Sequence, residues 1–454
     1  MQLKSTQWLS KLLDDNSFSS PFDDTQSEEG LEVTTGFGTI LNKPVAIYAQ
    51  NMEFNRGYVS KAGGQKILRL MKEALSRKVP IIALLASPGI DIETDMDSGI
   101  TYTEIISQNI ALSGVVPQLA VIMSPTLGAP AYSSVLMDLS FFNELRSYLM
   151  VTSPAVVKQA IGETASISEL GGIKLHACET GLADFLEKNT IHQLNLVRQV
   201  IEFLPNHYES HPEIKKSLPP QKKMPLIPTD PMRPFDMTLL IEALVDSSKF
   251  IEYKKHFGLS MICAFARIDG LPIGIVANQG KHLGGAIDCD AAQKSSRFLR
   301  VCDAYNIPII TLLDVPGFMP GKREEQKGLL RHGARFCTAM QTTVPRLSVI
   351  VRKAFGAAGF LMMQTKAQGG DLVLALNNTE VGVMGKKASA GVREAEHQAS
   401  TNETNNTLAS LCDKQIVDEV VESHDIRDKL AFHLKRLFKQ KPNQRLSRKH
   451  FIEP

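Results

Sequence analysis

The sequence predicts an α/β protein in which one unit of alternating strands and helices occurs twice. Short β-branched runs such as 349–351 alternate with segments such as 63–77, whose apolar residues recur at the spacing of a helix. Residues 118–132 match residues 346–360 without a gap, and the same offset of 228 positions (346 minus 118) holds upstream. Because stacked repeats have much shorter periods, of about 20–50 residues, this offset indicates a duplicated domain.

The elements of the first copy follow from local patterns. In chain order these patterns predict a helix at 8–15, a hairpin of 39–40 with 45–48 around Asn42-Lys43-Pro44, a helix at 63–77, a strand at 79–85, a strand within 114–123 and a helix at 190–204. The second copy is expected to repeat this order from Met261. Its end carries a polar stretch, 401–407, which we expect to be mobile. A basic amphipathic segment, 429–439, predicts a solvated helix or a partner-binding helix.

Composition divides the chain into four parts. Residues 1–30 hold the first helix and a polar connector, and residues 31–204 form the first domain. Eight prolines with lysines between them mark 205–234 as a linker without regular structure. Residues 235–454 form the second domain. Each domain is long enough to enclose a core of its own.

Bulk composition excludes several classes of protein. The 454 residues are 43% hydrophobic and 22% charged, as in soluble globular proteins, and no apolar run reaches membrane-spanning length. A net charge of +2 without aromatic-rich basic stretches argues against nucleic-acid binding. Residues 1–30 are too acidic for a secretory signal or a transit peptide, and the six cysteines are scattered. We therefore expect a cytoplasmic protein without a metal site, a membrane contact or a disulfide framework.

Two small-residue turns are the strongest candidates for a functional site. In the second copy, Gly356-Ala357-Ala358-Gly359 follows a buried strand and precedes an apolar run from Phe360. A strand, a tight turn and a helix start leave backbone N–H groups without helical acceptors, and the helix dipole favours negative charge in front of them. Gly128-Ala129 occupies the matching place in the first copy. The alternative interpretation of each turn is a site where helix and strand pack closely, without chemistry.

The second copy also carries a series of specific motifs. These are Ala266-Arg-Ile-Asp-Gly270, Gly274-Ile-Val-Ala-Asn278, Asp288-Cys-Asp290, Leu313-Asp-Val-Pro-Gly-Phe318, Arg331-His-Gly-Ala334 and Arg352-Lys-Ala-Phe-Gly356. Together with Gly36-Phe-Gly-Thr-Ile40 in the first copy, they resemble the carboxyltransferase (β) subunits of biotin-dependent acyl-CoA carboxylases. The resemblance covers roughly residues 8–450 and implies two tandem crotonase-like domains. It also implies a homo-hexamer built as a trimer of dimers, an acyl-CoA substrate, and a biotin carboxylase or biotin carboxyl carrier subunit as partner.

The chemistry of that family needs two sites for negative oxygen atoms. The resemblance implies that the N–H groups of Ala357 and Ala358 face the biotin ureido oxygen, and that those of Gly128 and Ala129 face the thioester enolate. Biotin carried on a partner protein would be the cofactor, a coenzyme A thioester the substrate, and no metal is implied. The chain has no Met-Lys-Met biotinylation site and no phosphate-binding glycine loop, so biotin and its carboxylation are expected from other subunits.

Further contacts are implied by the same resemblance. Substrate binding is assigned to Gly89, Tyr132, Gly356, Gly359, Phe360 and Lys66, and biotin binding to Pro316, Gly317 and Phe318. The ring of Phe360 would favour a small or flat acyl group, or it belongs to the core. Lys294 matches Lys66 in the other copy, and both lysines either contact coenzyme A phosphates or have no specific role.

Four other charged or titratable residues have two interpretations each. Asp314 ends a predicted strand and either caps local structure or belongs to the site. His332 is a buried structural histidine or a site residue. Arg352 and Lys353, next to the second turn, are candidates for tuning its local electrostatics.

The first copy departs from the family pattern. Residues 86–91 read Ala-Ser-Pro-Gly-Ile-Asp where family members usually carry Asp-Ser-Gly-Gly-Ala-Arg, and residues 127–130 read Leu-Gly-Ala-Pro in place of Ala-Gly-Gly-Ala. A proline is tolerated at the first position of a helix, because no N–H is needed there. These differences fall on the side that binds the acyl-CoA. Three functions remain open: carboxyl transfer to a short acyl-CoA, the reverse reaction in a decarboxylase, and a noncatalytic assembly role.

Overall fold

The computed structural model describes residues 5–21, 30–90, 95–385 and 407–438. These residues form two compact units. One unit runs to Pro212 and includes Ala304–Asn306, and the other comprises Glu213–Asp303 and the residues from Ile307 onward. The predictions made for 401–406 and for Lys439 fall outside the described residues, as does Asp91.

The first unit is built on one mixed sheet. Its strands are β1 (Val33–Ile40), β2 (Lys43–Gln50), β3 (Ile81–Ser87), β4 (Gln118–Leu127), β5 (Leu139–Asn143), β6 (Leu149–Met150) and β7 (Phe185–Glu187). They lie in the order β1-β2-β3-β4-β5-β7, with β6 beside the end of β4. The β1–β2 hairpin is antiparallel and all the other pairs of this sheet are parallel. All seven residues of β3 are buried, as expected for a parallel strand covered on both faces.

Helices cover the sheet of the first unit. They are α1 (Ser5–Leu12), α2 (Lys61–Arg77), α3 (Asp95–Leu112), α4 (Ala129–Leu136), α5 (Pro154–Ile161), α6 (Ile167–Gly171) and α7 (Thr190–Val200). The predicted helices at 8–15, 63–77 and 190–204 correspond to α1, α2 and α7. Apolar side chains of α2, such as Ile67 and Met71, pack into one cluster with strand residues such as Ala83 and Ile122.

The first hairpin turns one residue earlier than the sequence predicts. Leu41 and Asn42 form the turn with φ values of 52° and 66°, and Pro44 already lies in β2 opposite Thr39. Two residues with positive φ match the right-handed twist of a hairpin. The Asp14 carboxylate accepts hydrogen bonds from both turn N–H groups at 2.9 Å, which fixes the turn at this place.

The second unit repeats the plan of the first unit. Its strands are β8 (Phe250–Tyr253), β9 (Met261–Ile268), β10 (Leu271–Asn278), β11 (Ile309–Val315), β12 (Arg346–Phe355), β13 (Leu372–Leu376), β14 (Glu380–Gly382) and β15 (Glu419–Val421). Their order is β15-β13-β12-β11-β10-β9-β8, with β14 beside β12. The helices are α8 (Met237–Leu244), α9 (Cys289–Ala304), α10 (Lys322–Lys327), α11 (Leu329–Met340), α12 (Gly356–Met363), α13 (Leu408–Asp413) and α14 (Ile426–Phe438).

The two sheets keep the predicted offset of 228 positions from β1 to the end of β4. Strands β9 to β12 begin and end 228 positions after β1 to β4, and an irregularity between Leu85 and Ser87 recurs between Leu313 and Val315. Isolated bridges also match, since Val59 pairs with Ile90 and Ile287 with Phe318. Beyond the turns the offset grows to 233 (372 minus 139), so an ungapped comparison cannot follow the duplication further.

Local patterns missed several elements of the second unit. Helix α8 begins after Asp236, whose carboxylate accepts a hydrogen bond from the Thr238 N–H, and leads into the edge strand β8.

The predicted linker, residues 205–234, contains neither a helix nor a strand. Their carbonyl groups are nevertheless used, because Arg352 and Lys353 donate hydrogen bonds to them.

Candidate active site at two glycine turns

The same backbone turn links strand to helix in both units. Gly128 follows β4 with φ of 63°, and Gly356 follows β12 with φ of 62°. Both glycines lie in a region that residues with a side chain rarely adopt. A Cβ atom on Gly128 would lie 3.9 Å from the Val151 carbonyl oxygen, and one on Gly356 would lie 3.6 Å from the Val383 carbonyl oxygen. The backbone conformation, and not a lack of space, therefore requires glycine at both positions.

The second turn presents unused N–H groups. Residues 356–359 are the first turn of α12, not a loop before it, so the N–H groups of Ala357 and Ala358 have no helical acceptor. Phe355 precedes the helix and supplies no side-chain cap. Ala357 is exposed and Ala358 is buried. A negative oxygen atom in front of this helix would receive these donors together with the positive end of the helix dipole.

Gly359 has a packing role in the same turn. A Cβ atom here would lie 2.5 Å from the carbonyl carbon of Ala354, so only glycine lets α12 lie this close to β12. Gly359 is also buried. The structure therefore gives a packing reason for the glycine that the family resemblance assigns to substrate binding.

The first turn has fewer available donors than the sequence predicts. The Gly128 N–H donates to the carbonyl oxygens of Met150 at 3.2 Å and Val151 at 3.1 Å. This corrects the predicted pair of donors, because a bonded N–H is not free for an enolate oxygen. Pro130 is the second residue of α4 and has no N–H to replace it. Ala129 keeps the donor role that the resemblance implies.

Buried charges lie behind the second turn. The Asp314 carboxylate accepts hydrogen bonds from Arg352 Nη2 at 2.5 Å and Nε at 3.2 Å, and Lys353 Nζ lies 3.3 Å from its other oxygen. Asp314 is fully buried and both cations are nearly so. Arg352 also donates to the Asp230 and Arg233 carbonyls.

This cluster decides between the two interpretations of Asp314, Arg352 and Lys353. Their hydrogen bonds are directed inward, at one another and at the 205–234 segment, so they hold strand and linker together and do not line an open surface. In the first unit the matching positions are Ala86, Ser124 and Pro125. No charge therefore stands behind the first turn at these positions.

The predicted biotin loop follows β11. Gly317 has φ of 141°, and its carbonyl accepts a hydrogen bond from the Ile287 N–H at 3.1 Å. Phe318 pairs with Ile287, and its ring lies 3.5 Å from the position of a Cβ atom on Gly333 in α11. The loop is thus held against α11. Gly89 occupies the matching place in the first unit with φ of 133°.

Aromatic side chains flank both turns. Tyr132 and Phe360 are 228 positions apart, and 55% and 37% of their surfaces are exposed. Each therefore presents an apolar ring beside its turn. The exposure of Phe360 argues against the interpretation that it belongs to the core.

The two matching lysines differ in environment. Lys66 is half-buried and donates to the Gly30 carbonyl at 3.1 Å. Lys294 is buried, donates to the Met261 carbonyl at 2.8 Å and lies 3.9 Å from Glu252. Burial lowers the pKa of Lys294. The suggested contact of Lys294 with coenzyme A phosphates is therefore wrong, because its ammonium group is enclosed.

His332 lies on α11 near the predicted biotin loop. Its Nδ1 atom is buried without a hydrogen-bond partner among the described residues. Burial, followed by the nearby Arg331 and Arg335, lowers the pKa of His332 and so favours the neutral imidazole. The described residues contain no group of three histidine, cysteine or acidic side chains arranged to hold a metal ion.

Comparison with known proteins identifies the family. The carboxyl transferase domain matches residues 6–452 of the chain. The chain belongs to the carboxyl transferase family. The carboxyltransferase is 35% identical over 422 residues to the propionyl-CoA carboxylase beta chain of Roseobacter denitrificans, covering 89% of this chain and 82% of that protein. It is 34% identical over 465 residues to the methylmalonyl-CoA decarboxylase subunit alpha of Veillonella parvula. That alignment covers 97% of this chain and 91% of the relative.

A solved structure supports the same assignment. The carboxyltransferase superposes on transcarboxylase 12S with a TM-score of 0.89 and 30% identity, covering 99% of this chain and 92% of that chain. That structure is described as a hexamer assembly with methylmalonyl-coenzyme A bound. The predicted α/β fold of two crotonase-like domains is confirmed, and the protein is a carboxyl-transfer enzyme. Among its described helices, none has the length and apolarity that a membrane crossing would need.

Sequence reasoning missed two features of the carboxyltransferase site. One is the pair of carbonyl groups, of Met150 and Val151, that bind the Gly128 N–H. The other is the attachment of Arg352 and Lys353 to the linker carbonyls. Backbone carbonyls carry no sequence signal, so neither feature had a residue pattern that could reveal it.

Proposed function

We propose that this carboxyltransferase moves a carboxyl group from biotin, held on a partner protein, to the α-carbon of a short acyl-CoA. The observation that carries the proposal is the pair of equivalent glycine turns, each followed by first-turn N–H groups without helical acceptors. In the second turn the donors are Ala357 and Ala358. In the first turn the donor is Ala129.

The reaction needs an oxyanion site at each turn. When the C–N bond of carboxybiotin breaks, CO2 leaves and the electron pair passes onto the ureido group, whose oxygen becomes negative. The ureido nitrogen then takes the α-proton of the acyl-CoA, and the electrons of the C–H bond pass to the thioester oxygen. The resulting enolate carbon attacks CO2. Preorganised N–H donors in a site without bulk water stabilise both oxyanions.

The residues near the turns fit these roles. Pro316, Gly317 and Phe318 would contact biotin, since their loop is fixed on β11 beside α11. Tyr132 and Phe360 would flank the acyl group, because both rings are exposed next to a turn. Gly89 and Gly356 would allow close approach of the substrate, and Lys66 would need to exchange its bond to Gly30 for a substrate contact.

The assembly and partners form part of the proposal. The hexamer of the transcarboxylase 12S neighbour supports a hexamer, a trimer of dimers, for this chain. The propionyl-CoA carboxylase relative supports a biotin carboxylase or a biotin carboxyl carrier subunit as partner. A cytoplasmic location agrees with the sequence composition.

The reverse reaction is a second candidate. The Veillonella parvula relative is named a subunit of a methylmalonyl-CoA decarboxylase, and it aligns with 97% of this chain. In that direction carboxylate leaves the acyl-CoA for biotin and the same two oxyanions form in the opposite order. The two directions therefore use the same residues.

The test measures decarboxylation of malonyl-CoA and methylmalonyl-CoA by the purified chain with free biotin added. Ala129→Pro and Ala358→Pro each remove one proposed donor, whereas Ala129→Gly and Ala358→Gly keep the N–H and are the matched controls. Each proline variant should lower biotin-stimulated turnover by about 100-fold to 1,000-fold, as for the loss of one oxyanion donor. Circular dichroism checks that each variant is folded. Unchanged turnover in a folded proline variant would refute the proposed role of the N–H group that it removes. If the wild-type chain showed neither turnover nor acyl-CoA binding, a noncatalytic subunit would be favoured.

A further inference from the structure

The donor of the first turn points in a direction that depends on how helix α4 lies against strand β4. Ala129 is the first residue of α4, and a backbone N–H in the first turn of a helix points along the helix axis. Gly128 gives this helix no side-chain cap. Because an isolated helix of eight residues is not stable in water, contacts with other elements fix its direction.

One buried amide side chain joins the two elements that flank the turn. Asn109 of α3 accepts a hydrogen bond from the Ser133 hydroxyl of α4, with 2.7 Å between Oδ1 and Oγ. Its Nδ2 donates to Oε1 of Gln118, the first residue of β4, at 2.9 Å, and Gln118 Nε2 donates back to the Asn109 carbonyl oxygen at 3.0 Å. All three side chains are buried. The strand before the turn and the helix after it are therefore held by the same residue.

These three hydrogen bonds between Asn109, Ser133 and Gln118 are here called the Asn109 clamp. An amide accepts from one partner and donates to another at the same time, which an ionised carboxylate or an apolar side chain cannot do. Buried polar groups are costly to leave without partners, so a satisfied network holds its members in one arrangement. Because Ser133 lies about one helical turn after Ala129, a bond at Ser133 also fixes the start of α4.

The second unit ties its strand and helix together with other residues. The offset of 228 places Leu361 at the position of Ser133, and leucine has no hydroxyl group to donate. Arg346, which matches Gln118, instead donates to Oε1 of Gln364, the residue that ends α12. In each unit the first residue of the strand is therefore linked to the helix after the turn, through partners that belong to that unit.

We propose that Asn109 is a positioning residue that directs the Ala129 N–H at the enolate oxygen through Ser133. This inference rests on the proposed function, and it names a group that acts on the first turn without touching the substrate. An N–H aimed at the thioester oxygen stabilises it most when that oxygen becomes negative. Loss of the clamp should therefore slow turnover and leave binding of the acyl-CoA nearly unchanged.

The test compares kcat and KM for biotin-stimulated decarboxylation of malonyl-CoA and methylmalonyl-CoA in two variants. Ser133→Ala removes only the hydroxyl group, and Asn109→Leu replaces the amide by an apolar side chain of similar size. Each should lower kcat about tenfold or more, as expected for a small misplacement of a reacting group, with KM within about twofold of wild type.

The matched control is Gln193→Met. It also removes a buried amide of the first unit, but this amide donates to the Ile122 and Phe141 carbonyls and not to α4. The control should keep the wild-type kcat. A loss of kcat as large as that of Ser133→Ala would assign the effect to general damage and overturn the proposal.

A double-mutant cycle tests whether the clamp acts through Ala129. In the Ala129→Pro background the donor is already absent, so Ser133→Ala should cause no further loss of kcat. A further loss in that background would overturn the proposal, and so would an unchanged kcat in folded Ser133→Ala or Asn109→Leu.

Hydrogen–deuterium exchange of backbone amides keeps this test separate from that of the proposed function. Asn109→Leu should speed the exchange of amides in α4 while those in α7 keep their wild-type rates, and this measurement needs no turnover. If wild type shows no turnover, the proposed function fails, and the exchange in α4 alone decides whether Asn109 positions this helix. If wild type turns over and both variants match it, the proposed function stands and the positioning role fails.

Discussion

In the second unit, Arg352 Nη2 lies 2.5 Å from Asp314 Oδ2, and both side chains are buried. The residue that matches Asp314 in the first unit is Ala86, although the backbone around both is held alike. The Asp314 N–H donates to the Asn278 side chain at 3.1 Å, and the Ala86 N–H donates to the Gln50 side chain at 2.9 Å. The two units therefore share a backbone arrangement, and the buried ion pair is an addition of the second one.

Asp314→Asn should destabilise the second unit strongly. The variant leaves Arg352 and Lys353 buried without a counter-charge, so we expect the free energy of unfolding to fall by about 3–5 kcal/mol. Urea unfolding followed by circular dichroism measures the change. Asp97→Asn, which breaks an exposed pair with Lys61, is the control and should change the free energy of unfolding far less, because solvent screens an exposed pair. A loss for Asp314→Asn as small as that of the control would contradict the structural role of the pair.

Gly356→Ala should strain the second turn. A φ of 62° is unfavourable for alanine, so we expect a loss of about 1–2 kcal/mol in the free energy of unfolding. Gly99→Ala lies inside α3, where an added Cβ atom comes no closer than 3.7 Å to Ile90, and should instead stabilise by about 0.5–1 kcal/mol. Thermal unfolding of both variants measures these opposite effects. An equal change in the free energy of unfolding of both variants would mean that the positive φ of Gly356 does not cause the loss.

Pro130→Ala should add a backbone N–H donor to the first turn. The second turn offers donors at Ala357 and Ala358, and the positions that match these are Ala129 and Pro130, of which proline has no N–H. Given the proposed function, an added donor should raise enolate formation about tenfold or more, measured as deuterium uptake at the α-carbon of propionyl-CoA in D2O. The reciprocal variant Ala358→Pro should lower this exchange, because the ureido nitrogen that takes the α-proton depends on the donors of the second turn. A lack of gain in Pro130→Ala would place the enolate oxygen elsewhere.

Asp14→Asn should lower the stability of the folded protein above about pH 4. Burial alone would raise the pKa of Asp14, but hydrogen bonds from Asn42, Thr39, Leu41 and Arg198 lower it from 3.8 to about 2. A lowered folded pKa stabilises the protein above the unfolded value, and this contribution is lost as the pH falls from about 4 to about 2.

The melting temperature between pH 2 and pH 6 measures that contribution. The difference between wild type and Asp14→Asn should shrink steadily as the pH falls through this window. The neighbouring exposed variant Asp15→Asn is the matched control and should follow the wild-type curve. If the difference in melting temperature did not change with pH, the loss of stability in Asp14→Asn would come from altered packing and not from the lost carboxylate charge.

The sequence alone determined the fold class, the duplication and the position of both turns. Strand periodicity, glycine placement and the constant offset are local or regular signals, so they persist in the linear chain. Gly128 and Gly356 were recognised this way, because a φ near 60° leaves few alternatives to glycine.

Only the tertiary structure decided which polar groups are free. Whether the Gly128 N–H can bind a ligand depends on the carbonyls of Met150 and Val151, more than 20 positions later. Lys66 and Lys294 occupy the same repeat position, yet one is half-buried and the other enclosed. Arg352 and Lys353 appear available beside the second turn, but Asp314 and the linker carbonyls occupy them. Hydrogen-bond partners of this kind come from distant segments and carry no sequence pattern, so availability is a property of the folded chain.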